Sequence, residues 1–302
     1  MAKHWAEQKE VATGNILLKI TLFLATKMPR FILKFIVFIV VGVYFLALKN
    51  KREFINNFRK SVANSGGVVK GGAYWNFYNF GLSICDKIAV WIKKSEHYQI
   101  DRTNLDAIRS RLCANKGKIL LTSHYGNIEI AKAIVSELGR TKINIFMYKQ
   151  NNAKFSNFME KIVDDKINIF WVDELDISTM LSLQNLLENG EHIAIMADRI
   201  PIKSDKFVSA EFLGKKANFS IGAYLIAGIL KTEIYSFWCY KVGRKYSFEI
   251  KNLPSVELKS DKIKSIMPTL NAYIADLEQK CKADPDQWYN FFDFWGQGEK
   301  EL

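Results

Sequence analysis

Apolar and polar positions divide the chain into two unlike parts. Residues 15–48, NILLKITLFLATKMPRFILKFIVFIVVGVYFLAL, are almost continuously apolar, and Lys27-Met28-Pro29-Arg30 splits them into two segments. Pro29 suits the first turn of a second helix. From Phe31 to Leu48 the one charge is Lys34, and a helix of that length rises about 27 Å, close to a hydrocarbon core. A cleaved signal peptide fits poorly, because the apolar region starts late, is too long and lacks a small-residue cleavage site. A spanning or deeply embedded anchor is expected. Basic residues on both flanks (Lys27, Arg30, Lys49, Lys51, Arg52) leave its orientation open.

Beyond residue 50 the pattern is that of a soluble protein. Helical periodicity covers 53–64 and 73–94. Between them lies Gly66-Gly67-Val68-Val69-Lys70-Gly71-Gly72. It lacks the GK[ST] ending of a phosphate loop and reads as a turn. From residue 116 short β-rich runs (118–122, 143–147, 167–172, 192–196) alternate with helical stretches (127–138, 153–164, 176–189). Strand and helix in alternation imply an α/β fold, with a mixed, largely parallel central sheet flanked by helices. A helix at 219–231, a hairpin of 233–241 and 245–250 about Val242-Gly243-Arg244, and a last helix at 260–282 complete the pattern. Two domains are expected: residues 1–50 as membrane-anchoring helices and 51–302 as a catalytic domain.

Composition narrows the class. Of 302 residues, 49% are hydrophobic, with 21 Phe, 12 Tyr and 7 Trp, so wholesale disorder is excluded. A net charge of +12 suits anionic partners such as phospholipid headgroups or an acidic carrier protein. A nucleic-acid role is not expected, because the basic residues are dispersed. The four cysteines (Cys85, Cys113, Cys239, Cys281) are far apart and read as buried thiols in a reducing compartment. No metal site and no cofactor are expected.

The candidate chemistry lies at strand ends, where parallel α/β sheets collect functional groups. His124 follows KILLT directly, within Ser123-His124-Tyr125-Gly126-Asn127. Gly126 allows a tight turn and close approach of a ligand. The first N–H groups of the next helix, near Asn127 and Ile128, could stabilise an oxyanion or a bound anion. Glu129 could accept from one imidazole nitrogen, fix the tautomer and balance the imidazolium. A packed loop histidine and a helix N-terminal carboxylate would leave the same spacing. A nucleophile elbow GxSxG is absent; Asn218-Phe219-Ser220-Ile221-Gly222 misses by its first glycine. The substrate would then bring the nucleophile, and a base acting on a substrate hydroxyl suits acyl transfer from a thioester. Met196-Ala197-Asp198-Arg199-Ile200-Pro201 ends another strand. Arg199 could hold a phosphate, with Asp198 aiming it, or the two could form a structural turn pair. Ala210-Glu211-Phe212-Leu213-Gly214 reads as a strand ending in a glycine turn.

HYGNIE, MADRIP and EFLG, in this order, resemble the lysophospholipid acyltransferase superfamily, closest to its bacterial lipid A biosynthesis (late) acyltransferase branch. His4-Trp5-Ala6 and the C-terminal DPDQWYNFFDFW look like that branch too, so the likeness spans nearly the whole chain. It implies a glycerolipid acyltransferase-like fold with an N-terminal hydrophobic helical membrane anchor. It places the protein in the bacterial inner membrane with the catalytic domain facing the cytoplasm. It implies His124 and Glu129 as a catalytic H-x4-[DE] pair, and Gly126, Asn127, Asp198, Arg199, Phe212 and Gly214 as substrate-binding positions. The expected donor is an acyl-acyl carrier protein, or acyl-CoA as the other co-substrate. The expected acceptor is a hydroxyl of a lipid or glycolipid, lipid A precursor-like. A CoA-dependent glycerophospholipid acyltransferase and a non-catalytic membrane-binding protein are the alternatives.

Overall fold

The computed structural model describes residues 28–91, 98–113, 116–135, 142–148, 167–172, 177–200 and 206–296. Three helices come first: α1 (Arg30–Ala47), α2 (Lys49–Asn64) and α3 (Tyr74–Trp91). A short β1 (Gln99–Ile100) and α4 (Leu105–Leu112) lead into β2 (Ile119–Thr122). A 3-10 turn (Ile128–Ile130) and α5 (Ala131–Val135) follow, then β3 (Ile143–Tyr148), β4 (Ile167–Val172), α6 (Ile177–Glu188) and β5 (His192–Met196). The chain ends with the β6–β7 hairpin (Phe207–Phe212, Lys215–Ser220), α7 (Gly222–Ile229), the β8–β9 hairpin (Ile234–Val242, Lys245–Asn252), α8 (Lys262–Ala283) and a 3-10 turn (Pro285–Gln287).

Seven strands form one sheet, ordered β1-β9-β8-β2-β5-β3-β4. Only β8 and β9 run antiparallel; every other pair is parallel. The mixed, largely parallel sheet expected from the alternating pattern is therefore present. The unbroken apolarity of β2 has a direct cause. Ile119 and Leu121 face one core with α7 and α8, while Leu120 faces the other core with α4 and the 3-10 turn after β2. A strand covered on both faces has no polar side to display.

The pattern missed some elements and misplaced others. Helix α4 and the pairing of β6 with β7 were not foreseen, and the helix expected from 219 begins at 222. The helix expected over 127–138 starts as a 3-10 turn. The helix expected at 153–164 and the first apolar segment lie outside the described residues. Cys85, Cys239 and Cys281 are buried as expected, whereas Cys113 is exposed at the end of α4.

Helix α1 lies against α3. Leu33, Val37 and Val41 are buried there in one cluster with Ile55, Phe77 and Leu82. Gly81 permits the contact, since a Cβ on it would stand 2.9 Å from Val37 Cγ1. At one end, Arg30 of α1 pairs with the fully buried Asp86 of α3. Lys241 (2.7 Å) and Tyr246 Oη (2.7 Å) converge on the same carboxylate. Asp86→Ala would leave two cations facing an apolar wall. It should cost about 3 kcal/mol of stability, read as a lower urea midpoint at unchanged slope.

Candidate active site

The sheet register builds the site. Thr122 of β2 stands beside Met196 of β5 in a parallel pair. His124 and Asp198 each lie two residues beyond, so the two loops emerge side by side. Imidazole Nδ1 is 2.8 Å from Asp198 Oδ1. An ionised carboxylate has no proton to give, so Nδ1 carries the hydrogen and Nε2 is left with its lone pair. The His124 side chain is 24% exposed and Asp198 is fully enclosed.

Three further donors hold Asp198, all on Oδ2. They are the His124 main-chain N–H (3.0 Å), the Trp288 indole N–H (3.0 Å) and the Asn290 amide (3.2 Å). Burial alone would raise this carboxyl. The His124 charge and hydrogen bonds, with Arg199 nearby, outweigh it and hold Asp198 well below the usual carboxylate range. Burial lowers the His124 pKa below its ordinary value, and Arg199 adds to this; Asp198 and Glu129 oppose it. The imidazole is therefore neutral at pH 7.

The C-terminal segment forms one wall. Gly126 N–H donates to Gln287 O (2.8 Å) and Tyr289 N–H to His124 O (2.9 Å). Trp288 thus pairs antiparallel with Tyr125, and the His124 loop gains a one-residue strand. Gln287 in turn clasps the Lys241 backbone from both sides, at 2.7 and 2.8 Å.

Several expectations need correction. Glu129 does not hold the imidazole; its carboxylate pairs with Lys87 of α3, and the Nδ1 bond belongs to Asp198. Of the N–H groups expected to meet an oxyanion, those of Gly126 and Asn127 already have main-chain partners. Gly126 N–H is bound to Gln287, and Asn127 N–H donates to Cys239 O at 2.7 Å. The Asn127 side chain is buried and donates to Ser83 O. Gly126 does permit a close approach, but of β8 rather than a ligand: a Cβ there would lie 2.1 Å from Cys239 O. Asp198 meets His124, with the Arg199 charge close by. Arg199 donates through Nε to Asn290 (2.8 Å) and through Nη2 to Tyr289 O (3.1 Å), above the Phe292 ring. These bonds tie it to the C-terminal wall. Phe212 is fully buried against Trp288, Phe219 and Phe294, behind the indole that reaches Asp198. Gly214 forms the tip of the β6–β7 turn at φ +73°, beside Ser65 just after α2, and is not part of the His124 cluster.

Asp198 as the histidine's partner, Lys87 as that of Glu129, and Trp288 and Asn290 were not legible locally. The one trace was the aromatic and amide-rich QWYN string. A sequence model of the bacterial lipid A biosynthesis acyltransferases matches residues 12–296. The chain belongs to this family. It is therefore an acyltransferase acting on lipid substrates. No curated protein matches it by sequence.

Gly126→Ala forces both a left-handed backbone on a residue with a Cβ and a clash with a main-chain carbonyl. It should cost about 3 kcal/mol by urea unfolding and cut acyl transfer more than tenfold, through displacement of the His124 loop.

Proposed function

We propose that this protein moves a fatty acyl chain from an acyl-acyl carrier protein to a hydroxyl of a lipid or glycolipid, lipid A precursor-like, with His124 as general base. The observation that carries the reading is the part-exposed imidazole held at Nδ1 by Asp198, in a chain of an acyltransferase family. Nε2 takes the proton of the acceptor hydroxyl as its oxygen attacks the thioester carbonyl. The tetrahedral intermediate then expels the thiolate, a good leaving group that needs no strong acid. The net charge of +12 favours an acidic carrier as donor. No metal or cofactor enters this scheme.

The proposed location is the bacterial inner membrane, with the catalytic domain on the cytoplasmic side; the apolar helix α1 supports the membrane part of this reading. Its 18 residues have a mean hydropathy of 2.3. Phe31 (74% exposed), Phe35, Val43 and Leu46 face outward. Because α1 packs on α3 from Arg30–Asp86 to Phe45–Phe77, we infer that it lies in the interface plane rather than across the bilayer. The opposite side of α3 reaches the site, through Ser83 O on Asn127 and Lys87 on Glu129. Phe80 and Ile84, also exposed, extend the apolar face towards Tyr289. A lipid acceptor would then approach His124 from the membrane side.

His124→Gln should lower kcat by about 10³-fold, assayed as thioester consumption with carrier-linked and CoA-linked donors. Faster turnover with the carrier donor, and a lipid gaining one acyl mass, are the expected results; turnover with acyl-CoA alone would replace the donor assignment. The rate should fall as pH drops through the His124 pKa, with the acid limb below 6.5, because the base must be unprotonated. Bimane labels on Phe31→Cys and Leu46→Cys, in a Cys113→Ser background, should be quenched at one shallow depth by brominated lipids. A crossing helix would place them about 22 Å apart in depth.

A further inference from the structure

Two carboxylates flank His124, and the structure gives them different work. We propose that Asp198, 74 positions further along the chain, is the positioning residue of the base, and that Trp288 and Asn290 of the C-terminal segment fix Asp198 in turn. This rests on the general-base reading of His124 and goes beyond it, because the local His124–Glu129 spacing had assigned that work to Glu129.

The geometry separates the two. Asp198 meets Nδ1 at 2.8 Å and is fully enclosed. Glu129 is spent on Lys87. Oδ2 of Asp198 accepts from three fixed donors, so the carboxylate cannot rotate without losing them. Oδ1 is thereby held at the imidazole, and the ring is locked with its hydrogen on Nδ1 and its lone pair on Nε2. When Nε2 takes the substrate proton, the imidazolium forms beside a negative charge that is already in place and needs no reorganisation. The charged groups around the ring are Asp198 and Arg199 from the end of β5, Glu129 from the 3-10 turn, and Lys87 from α3.

The arrangement makes Asp198→Asn a sharp test. The three donors require an acceptor at the Oδ2 position, so the amide oxygen must sit there. The amide NH2 then points at Nδ1 and can only donate. The imidazole is forced into the other tautomer, with its hydrogen on Nε2, where it cannot act as base. Size and fold are kept, and the same exchange in a serine-protease triad costs about 10⁴ in kcat.

The experiment uses the full chain in detergent, labelled with 15N-histidine. Nitrogen shifts are assigned to His124 by comparison with His124→Gln. Wild type and Glu129→Gln should both show the Nδ1–H tautomer, while Asp198→Asn shows Nε2–H. Asp198→Asn should also lose at least about 10³-fold in kcat with little change in KM, at an unchanged near-ultraviolet aromatic spectrum. Its remaining activity should have an acid limb at lower pH than wild type, because an imidazolium without its carboxylate loses its proton more easily; a purely structural role would not move the limb. A wild-type Nε2–H tautomer overturns the proposal. So does loss of Nδ1–H in Glu129→Gln, or Asp198→Asn within tenfold of wild-type kcat. Should Asp198→Asn fail to fold, the wild-type and Glu129→Gln tautomers decide. The tautomer needs no turnover, so absence of acyl transfer with every thioester would count against the proposed function and leave this inference standing.

Discussion

A buried negative charge organises this end of the molecule. Asp198 has no exposed surface, and an unpaired carboxylate there would be prohibitively expensive. It is tolerated because four hydrogen bonds converge on it, from His124, Trp288 and Asn290. Those bonds define the neighbourhood. They hold the loop after β2 against the loop after β5, and they require the C-terminal segment to return across the sheet. The histidine's tautomer follows from satisfying one charge.

The C-terminal segment is therefore more than a tail. Trp288 sits in an aromatic cluster with Phe58, Phe212 and Phe294, so its indole N–H is aimed by packing. Gln287 and Tyr289 bracket it and bond the main chain on either side of Tyr125. Arg199 closes the layer from above, through Asn290 and Tyr289. Two of its donors are thereby engaged in the wall that holds Asp198.

Helix α3 carries a different constraint. One side packs α1 at Gly81; the other reaches the 3-10 turn and the C-terminal turn, through Lys87 on Glu129 and Asn76 on Pro285 O. The apolar helix α1 and the His124 loop thus lie on opposite sides of a single helix. Asp86 joins Arg30 of α1 to Lys241 and Tyr246 of the β8–β9 hairpin.

Much of this was legible in one dimension. The apolar runs of β2 to β5 and the β8–β9 turn fall within a residue or two of where the pattern puts them; for β2 the reason is burial on both faces, which leaves a short unbroken signature. His124 at a strand end follows from that alone. What the chain could not show is which carboxylate serves it. Glu129 is five positions away and Asp198 is 74, and local spacing favours the nearer. Only the parallel pairing of β2 with β5, Thr122 opposite Met196, brings equal offsets face to face, and only α3 supplies the lysine that occupies Glu129. Sequence determined which groups were available at the strand ends; long-range strand register decided which of them touch.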